Sequence, residues 1–157
     1  MIPLAIRQQL VVFLLVLALI SFPLHWAWEW VQCQPYFVHG ATAATPLSML
    51  MATLGDVVLT LLAYCGVAAI HGAAWPLRPW SAGVWLALMS LALLLSLGVE
   101  AYALHSGRWA YTGIAPRLPG TSISALPVAQ LLILFPLSFI LARWLARRVS
   151  QTSQPRR

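Results

Sequence analysis

Three acidic side chains are the residues best suited to chemistry in this chain of 157 residues. They are Glu29, Asp56 and Glu100, and each lies within or at the end of a long apolar segment. A carboxyl group in or near a membrane helix is costly unless it faces protein, water or a partner, so each marks a candidate functional site. Among apolar side chains, a carboxyl group can hold a proton and use it in general acid/base catalysis.

Several other polar residues could assist these acids. His25 lies four residues before Glu29, so in a helix the two share a face and could relay a proton. Arg108 could pair with Glu100 or Glu29, or could bind an anionic group such as a phosphate. We predict that Glu100, Asp56, Glu29 and His25 are catalytic, and that Arg108, Trp109, Tyr111, His105, Tyr64 and Gln130 bind a ligand.

The sequence carries no signature of a cofactor. It has no P-loop, no dinucleotide fingerprint and no Gly-x-Ser-x-Gly nucleophile motif. His25, Glu29, Asp56, Glu100 and His105 could supply metal ligands, but no His-x-x-x-His or His-Glu-x-x-His spacing supports a metal site. Cys33 and Cys65 show neither metal nor disulfide spacing. We therefore predict no cofactor and no metal.

The composition indicates a polytopic membrane protein. Hydrophobic residues make up 61% of the chain and charged residues 8%, whereas a soluble domain has about 25% charged residues. The net charge is +6, and every basic residue is an arginine. Because most arginines lie beside an apolar segment at the C-terminus, they predict membrane topology and contact with anionic lipid headgroups, and not nucleic-acid binding.

Four apolar segments have the length of about 20 residues that a bilayer core requires. They predict an all-α, four-helix transmembrane bundle with helices over residues 8–28, 49–69, 80–104 and 126–145. Residues 1–149 would form one domain, and residues 150–157 a basic tail. No small-x-small cleavage site follows the first segment, so we expect it to be a retained helix and not a signal peptide.

The arginines also predict the orientation of the helices. Seven of them fall on the side of the two termini, and Arg108 and Arg117 fall on the other. By the positive-inside rule, both termini are cytoplasmic, in a bacterial inner membrane. The two long loops, over residues 32–48 and 105–125, then face outward, and all three acids lie in the outer half of the bundle.

Helical spacing predicts that the polar side chains face one another. Thr53, Asp56, Thr60 and Tyr64 form a stripe on the second helix, and Ser96 and Glu100 share a face of the third. Turning these lines inward would place the acids around a common pocket. The alternative is that the polar residues only join helices, at about 0.6–2 kcal/mol for each hydrogen bond.

One stretch of the chain resembles known membrane proteins. Glu100 is followed by S-G-R-W-A-Y-T, then A-P-R-L-P-G, then a helix that opens with L-P-V-A-Q. The pattern resembles small uncharacterised bacterial four-helix membrane proteins, and is similar to integral-membrane carotenoid hydratases and small lycopene cyclases. The lycopene cyclases carry a Pro-x-Glu-Glu element, but here Pro127 is followed by Val128 and Ala129. The resemblance implies proton-driven chemistry on a polyisoprenoid, with Glu100 as the essential acid.

Three functions remain open from the sequence. The first is a pocket that binds a hydrophobic, lipid- or isoprenoid-like molecule and that acts on it by acid/base chemistry or only binds it. The second is an accessory subunit of a larger membrane complex or transporter. The expected partners are membrane lipids, a hydrophobic small molecule and either a partner membrane subunit or copies of the chain itself. The third is a proton-coupled transporter, which we disfavour because four helices without an internal repeat need to oligomerise to form a path.

Overall fold

Four long helices make up most of the protein, as seen in a computed structural model that describes residues 3–38 and 45–152. They are α1 (Leu4–Tyr36), α2 (Pro46–His71), α3 (Ala82–His105) and α4 (Ala125–Thr152). Each contains a segment long and apolar enough to cross a membrane. The predicted all-α architecture with four membrane-length helices is therefore confirmed.

The helices form a four-membered ring in which neighbours along the chain are neighbours in space. α1 packs against α2 and α4, and α3 packs against α2 and α4 from the other side. Phe13, early in α1, contacts Phe139 in α4, whereas His25, later in α1, contacts Phe135. α1 and α4 therefore run antiparallel, and so do α1 and α2, where Phe13 contacts Tyr64 and His25 contacts Thr60. We call the end where α1 stops and α2 starts the loop end, and the opposite end the terminal end.

Local sequence signals account for the helix boundaries. Thr45 caps α2 by accepting a hydrogen bond from the Ser48 backbone N–H, and the Ser48 side chain bonds back to the Thr45 N–H. Pro46 follows at the first helical position, where its missing N–H is not needed. The helix ends at Gly72, whose φ of 81° favours glycine.

The first helix is longer than the sequence predicted. The loop expected over residues 32–48 starts only after Tyr36, because Gln32 and Cys33 belong to the buried polar face of α1. Pro35 lies in the last turn, where it removes one backbone hydrogen bond without ending the helix earlier. Residues 39–44 of the predicted loop lie outside the part of the chain that the structure describes.

The last helix also exceeds its predicted bounds. α4 continues unbroken through Pro136 and reaches Thr152, beyond the expected end at residue 145. The apolar run ends near there, but nothing in the arginine-rich sequence that follows stops a helix. Residues 153–157 of the predicted basic tail lie outside the described residues.

The interior of the bundle has two chemically different halves. An apolar, aromatic-rich core fills the terminal half, where Phe13, Leu17, Leu88, Phe135 and Phe139 are fully buried. Between membrane-length helices, close packing of such side chains stabilises the bundle through van der Waals contacts. Most of the buried polar residues collect in the other half, toward the loop end, and Ser138 beside Phe139 is an exception.

A short two-stranded sheet closes the loop end. β1 (Phe37–Val38) follows α1 directly and pairs antiparallel with β2 (Ala110–Tyr111), with Phe37 opposite Tyr111. Thr112 extends the contact by donating its backbone N–H to the Tyr36 carbonyl at 3.0 Å. The sheet ties the end of α1 to the loop after α3.

Candidate functional site

A cavity of about 430 Å³ lies at the loop end of the bundle. All four helices contribute to its wall, and so do Phe37, Arg108 and Trp109 from the sheet region. Glu29, Asp56 and Glu100, which are all the acidic residues of the chain, line it together. The helical spacing had predicted that these three acids face a common space.

The α1 wall is a continuous polar face. His25, Glu29, Gln32 and Cys33 follow one another at steps of four, three and one, so they lie on one side of the helix. All four are buried, with His25 fully inaccessible and the others at most 5% exposed.

Glu29 is held by three hydrogen-bond donors. Gln32 donates from Nε2 to Oε1 at 2.8 Å, and Gln130 donates to the same oxygen at 3.2 Å. The thiol of Cys33 donates to Oε2 at 2.8 Å. Since both carboxyl oxygens are occupied, Glu29 is suited to organising the site more than to reacting with a bound molecule.

The side-chain amide of Gln130 is the centre of the network. Its Nε2 lies 2.7 Å from Asp56 Oδ2, 3.2 Å from Glu29 Oε1 and 3.2 Å from His25 Nδ1. Its Oε1 accepts a hydrogen bond from Gln32 Nε2 at 2.8 Å. One residue of α4 thereby joins polar groups of α1 and α2.

The hydrogens of the network can be assigned to the acceptors around Gln130. An amide nitrogen carries two hydrogens, and three acceptors surround Nε2 of Gln130. Because Glu29 Oε1 also accepts from Gln32, the two hydrogens suffice for Asp56 Oδ2 and His25 Nδ1. These two acceptor atoms lie 3.4 Å apart, so a proton placed between them would join them directly.

The other nitrogen of His25 has a defined partner. Nε2 lies 3.2 Å from Oγ1 of Thr60, and that hydroxyl donates to the backbone carbonyl of Asp56 at 2.8 Å. The Thr60 oxygen is then the acceptor and His25 Nε2 the donor. In a neutral ring, this arrangement leaves Nδ1, which faces Asp56, as the acceptor nitrogen.

Glu100 differs from the other two acids. It is 3% exposed, and its Oε2 has no partner within hydrogen-bond distance among the described residues, although the side chain of Trp109 interacts with the carboxyl group. The Ser96 hydroxyl, one helical turn away on the same face, is also buried without a partner there. A buried polar atom without a partner is unfavourable. Both groups line the cavity, so a molecule in the cavity could satisfy them.

Aromatic rings and one arginine stand at the loop end of the cavity. The ring of Trp109 lies 6.1 Å from that of Phe37 in an edge-on arrangement, and both line the cavity. Arg108 is exposed and also lines it. No ion pair in the described residues joins Arg108 to Glu100 or Glu29, so the predicted pairing is not seen.

The cavity reaches the side of the bundle along α2. Met51, Ala52 and Gly55 line it and are exposed at the molecular surface. A Cβ added to Gly55 would have no atom within 4 Å, whereas one added to Gly66 would lie 2.7 Å from Cδ1 of Leu91 in α3. α2 and α3 are thus in close contact near Gly66 and leave space beside Gly55.

Six of the ten predicted site residues line the cavity, namely Glu29, Asp56, Glu100, Arg108, Trp109 and Gln130. His25 bonds directly to this set. Tyr111 packs on Phe37 at 5.1 Å, with its hydroxyl buried and without a partner among the described residues. His105 is exposed at the end of α3 and does not line the cavity.

Tyr64 belongs to the other half of the bundle. Its hydroxyl donates to the Ala73 carbonyl at 2.9 Å, and its ring stacks on Trp75. It shares the polar stripe of α2 with Asp56, but eight residues separate the two along the helix, or about 12 Å. The stripe therefore extends beyond the cavity, and Tyr64 is a core residue.

Gln32 and Cys33 are the site residues that the sequence prediction missed. They lie three and four residues after Glu29, the spacing that places side chains beside one another on a helix. Ending the first helix at residue 28 concealed this relationship. Cys65, by contrast, is exposed on α2, and both cysteines are free thiols.

The arrangement brings ionisable side chains together at one cavity. Within the described residues, no three His, Cys, Asp or Glu side chains are grouped so as to hold a metal ion. Comparisons of the chain with models of protein families, with curated proteins and with solved structures find no match.

Proposed function

We propose that this is an integral membrane protein whose three-acid cavity binds a hydrophobic, lipid- or isoprenoid-like molecule and exchanges protons with it. The observation that carries the proposal is the Glu100 carboxyl group, which is buried, lacks a partner at Oε2 among the described residues and faces a cavity of about 430 Å³. Ligand pockets for small molecules have volumes of about 300–1,000 Å³.

The surface of the bundle supports membrane insertion. Leu15, Leu19, Leu86 and Leu94 are each more than 60% exposed on the outer faces of α1 and α3. A soluble protein rarely exposes such apolar surface, whereas a bilayer covers it. Together with the arginine distribution, this favours a four-span protein of a bacterial inner membrane with cytoplasmic termini, so the loop end faces outward.

The walls of the cavity favour an apolar ligand with one reactive region. Met51, Leu59, Val99 and Leu131 offer apolar contacts, while α1, α2 and α3 contribute one acid each. The exposed lining residues of α2 would face lipid, so a molecule could enter from the bilayer without crossing water. Trp109 and Phe37 would cover its end near the outer surface.

The acids divide naturally into two roles. Glu100, with an unengaged oxygen, is the group that would give a proton to the bound molecule or take one from it. The His25–Asp56 pair, whose Nδ1 and Oδ2 atoms lie 3.4 Å apart and could share a proton, would act as the exchange partner. Glu29 and Gln130 would hold that pair in place as positioning residues.

Isotope exchange tests this proposal. The protein is purified in a mild detergent, the copurifying apolar molecule is identified by mass spectrometry, and that molecule is incubated with the protein in deuterated water. Proton exchange predicts deuterium in the molecule with the wild-type protein and loss of at least 90% of the exchange rate in Glu100→Gln, since one well-placed acid is worth about 10²–10⁴-fold.

Ser138→Ala is the matched control for this experiment. Ser138 is a fully buried polar residue that does not line the cavity, so the variant should exchange deuterium at the wild-type rate. An accessory subunit would instead copurify with a second membrane protein and show no exchange. Recovery of bulk phospholipid only, without deuterium incorporation, would refute the proposal.

A further inference from the structure

A second groove, of about 470 Å³, lies at the terminal end of the bundle. We name it the arginine–tryptophan groove, and its lining residues are Trp80, Trp85, Ile140, Arg143, Trp144, Arg147 and Arg148. The five residues from α4 recur at intervals of three, one, three and one, so they form a single helix face. Along α4, Arg143 is thirteen residues from Gln130, or about 20 Å, so the groove is separate from the three-acid cavity.

The groove concentrates positive charge that the chain's own acidic side chains do not neutralise. Three arginines line it. All three acidic side chains of the protein line the other cavity. The Nε of Arg143 is buried and has no hydrogen-bond partner within the described part of the chain. An anionic ligand would satisfy this donor.

Neighbouring groups hold the arginines in position. The guanidinium of Arg143 lies 5.7 Å from the ring centre of Trp80, and that of Arg148 lies 4.1 Å from the ring centre of Trp144. Arg147 donates from Nη2 to the backbone carbonyl of Leu77 at 3.3 Å. Arginine side chains fixed in this way lose less conformational entropy when they bind an anion.

The walls between the arginines are apolar and open. Trp85, Ile140 and Trp144 are 37%, 47% and 52% exposed. A groove with guanidinium groups beside exposed apolar rings matches a molecule with a phosphate group and hydrocarbon chains. Arginine favours phosphate because its planar donors can bind two oxygens together.

The geometry points to a binding site for the phosphate of an anionic phospholipid, whose acyl chains lie along Trp85 and Ile140. The inference rests on the membrane insertion proposed above, but not on the ligand or chemistry of the three-acid cavity. In the proposed orientation, the site lies at the cytoplasmic surface, where anionic headgroups are concentrated. Bound lipid would fix the terminal halves of α3 and α4 together.

Native mass spectrometry with defined lipids tests the site. Detergent-solubilised, delipidated protein is titrated with phosphatidylglycerol and, separately, with phosphatidylcholine of the same acyl chains. We expect the protein to bind phosphatidylglycerol more tightly than phosphatidylcholine. Arg143→Gln and Arg147→Gln, each as a single variant, should lower the affinity for phosphatidylglycerol about fivefold. Arg147 is exposed, so its variant keeps the test valid if Arg143→Gln does not fold.

Arg78→Gln is the matched control, because Arg78 is exposed at the same end of the bundle and does not line the groove. Its phosphatidylglycerol affinity should equal that of the wild type. An equal loss in Arg78→Gln and Arg147→Gln would overturn the inference in favour of general surface attraction. Equal binding of phosphatidylglycerol and phosphatidylcholine would also overturn the inference. So would an increase in melting temperature with millimolar inorganic phosphate alone that equals the increase with phosphatidylglycerol. A negative result in the lipid titration would not change the result expected from the deuterium-exchange experiment with Glu100→Gln. The two proposals can therefore be refuted independently.

Discussion

Nε2 of Gln130 lies 2.7 Å from Oδ2 of Asp56, and this hydrogen bond joins α4 to α2 inside the bundle. The same nitrogen also approaches Glu29 and His25 at 3.2 Å. A neutral amide thus keeps two carboxyl groups and a histidine in one cluster without adding charge. The acids can meet near the cavity because this amide supplies hydrogen bonds to them.

Removing the amide should destabilise the bundle. Gln130→Leu is close in size but leaves Asp56 and His25 without their α4 donor, and unsatisfied buried groups cost about 1–3 kcal/mol each. We expect a lower free energy of unfolding and a lower melting temperature in detergent. Ser138→Ala, which removes a buried hydroxyl without a partner among the described residues, should change stability little. Equal effects of the two variants would contradict the central role of Gln130.

Tyr64→Phe should separate stability from ligand binding. The hydroxyl of Tyr64 donates to the Ala73 carbonyl, far from the cavity. Its loss should lower the free energy of unfolding by about 1 kcal/mol. The amount of apolar molecule that copurifies should stay at the wild-type level, as measured by mass spectrometry. If the variant were stable but lost that molecule, Tyr64 would be a ligand-binding residue, as the sequence predicts.

The orientation of the bundle can be tested with single cysteines. In a background with Cys33 and Cys65 replaced by serine, Ser106→Cys places a thiol at the loop end and Arg78→Cys places one at the terminal end, both at exposed positions. A membrane-impermeant maleimide should label position 106 in cells with a permeabilised outer membrane. Position 78 should become labelled only after the inner membrane is opened. The reverse pattern would invert the topology.

The helices themselves could be predicted from apolar runs of bilayer length. Within lipid, a single chain segment satisfies its backbone hydrogen bonds only as a helix. The inward direction of Asp56 and Glu100 also followed from helical spacing. The end of α1 could not be predicted in the same way. Pro35 is typical of loops, and only the contacts of Gln32 with Glu29 and Gln130 explain why the helix continues.

Other features depend on contacts between distant parts of the chain. Phe37 and Tyr111 pair in strands of two residues, which are too short to leave a periodic pattern. Tyr64 shares the spacing of the polar stripe, but position along the helix axis separates it from Asp56. Spacing identifies the face of a helix, whereas depth in the bundle is fixed by packing of the neighbouring helices.

The central claim is that an apolar molecule occupies the cavity, and two glycine variants test it directly. Gly55 lines the cavity, Gly98 does not, and both are exposed helical glycines beside open space. Leucine at either position should be tolerated by the fold and should favour the helix by up to about 1 kcal/mol. Only at position 55 would it occupy the cavity opening.

The decisive measurement is the amount of apolar molecule recovered per protein molecule from Gly55→Leu and Gly98→Leu, determined by quantitative mass spectrometry of gently solubilised protein. We predict that Gly55→Leu loses most of the bound molecule while Gly98→Leu retains the wild-type amount, with both variants at least as stable as the wild type. Equal recovery from the two variants would contradict an occupied cavity between α2 and α3.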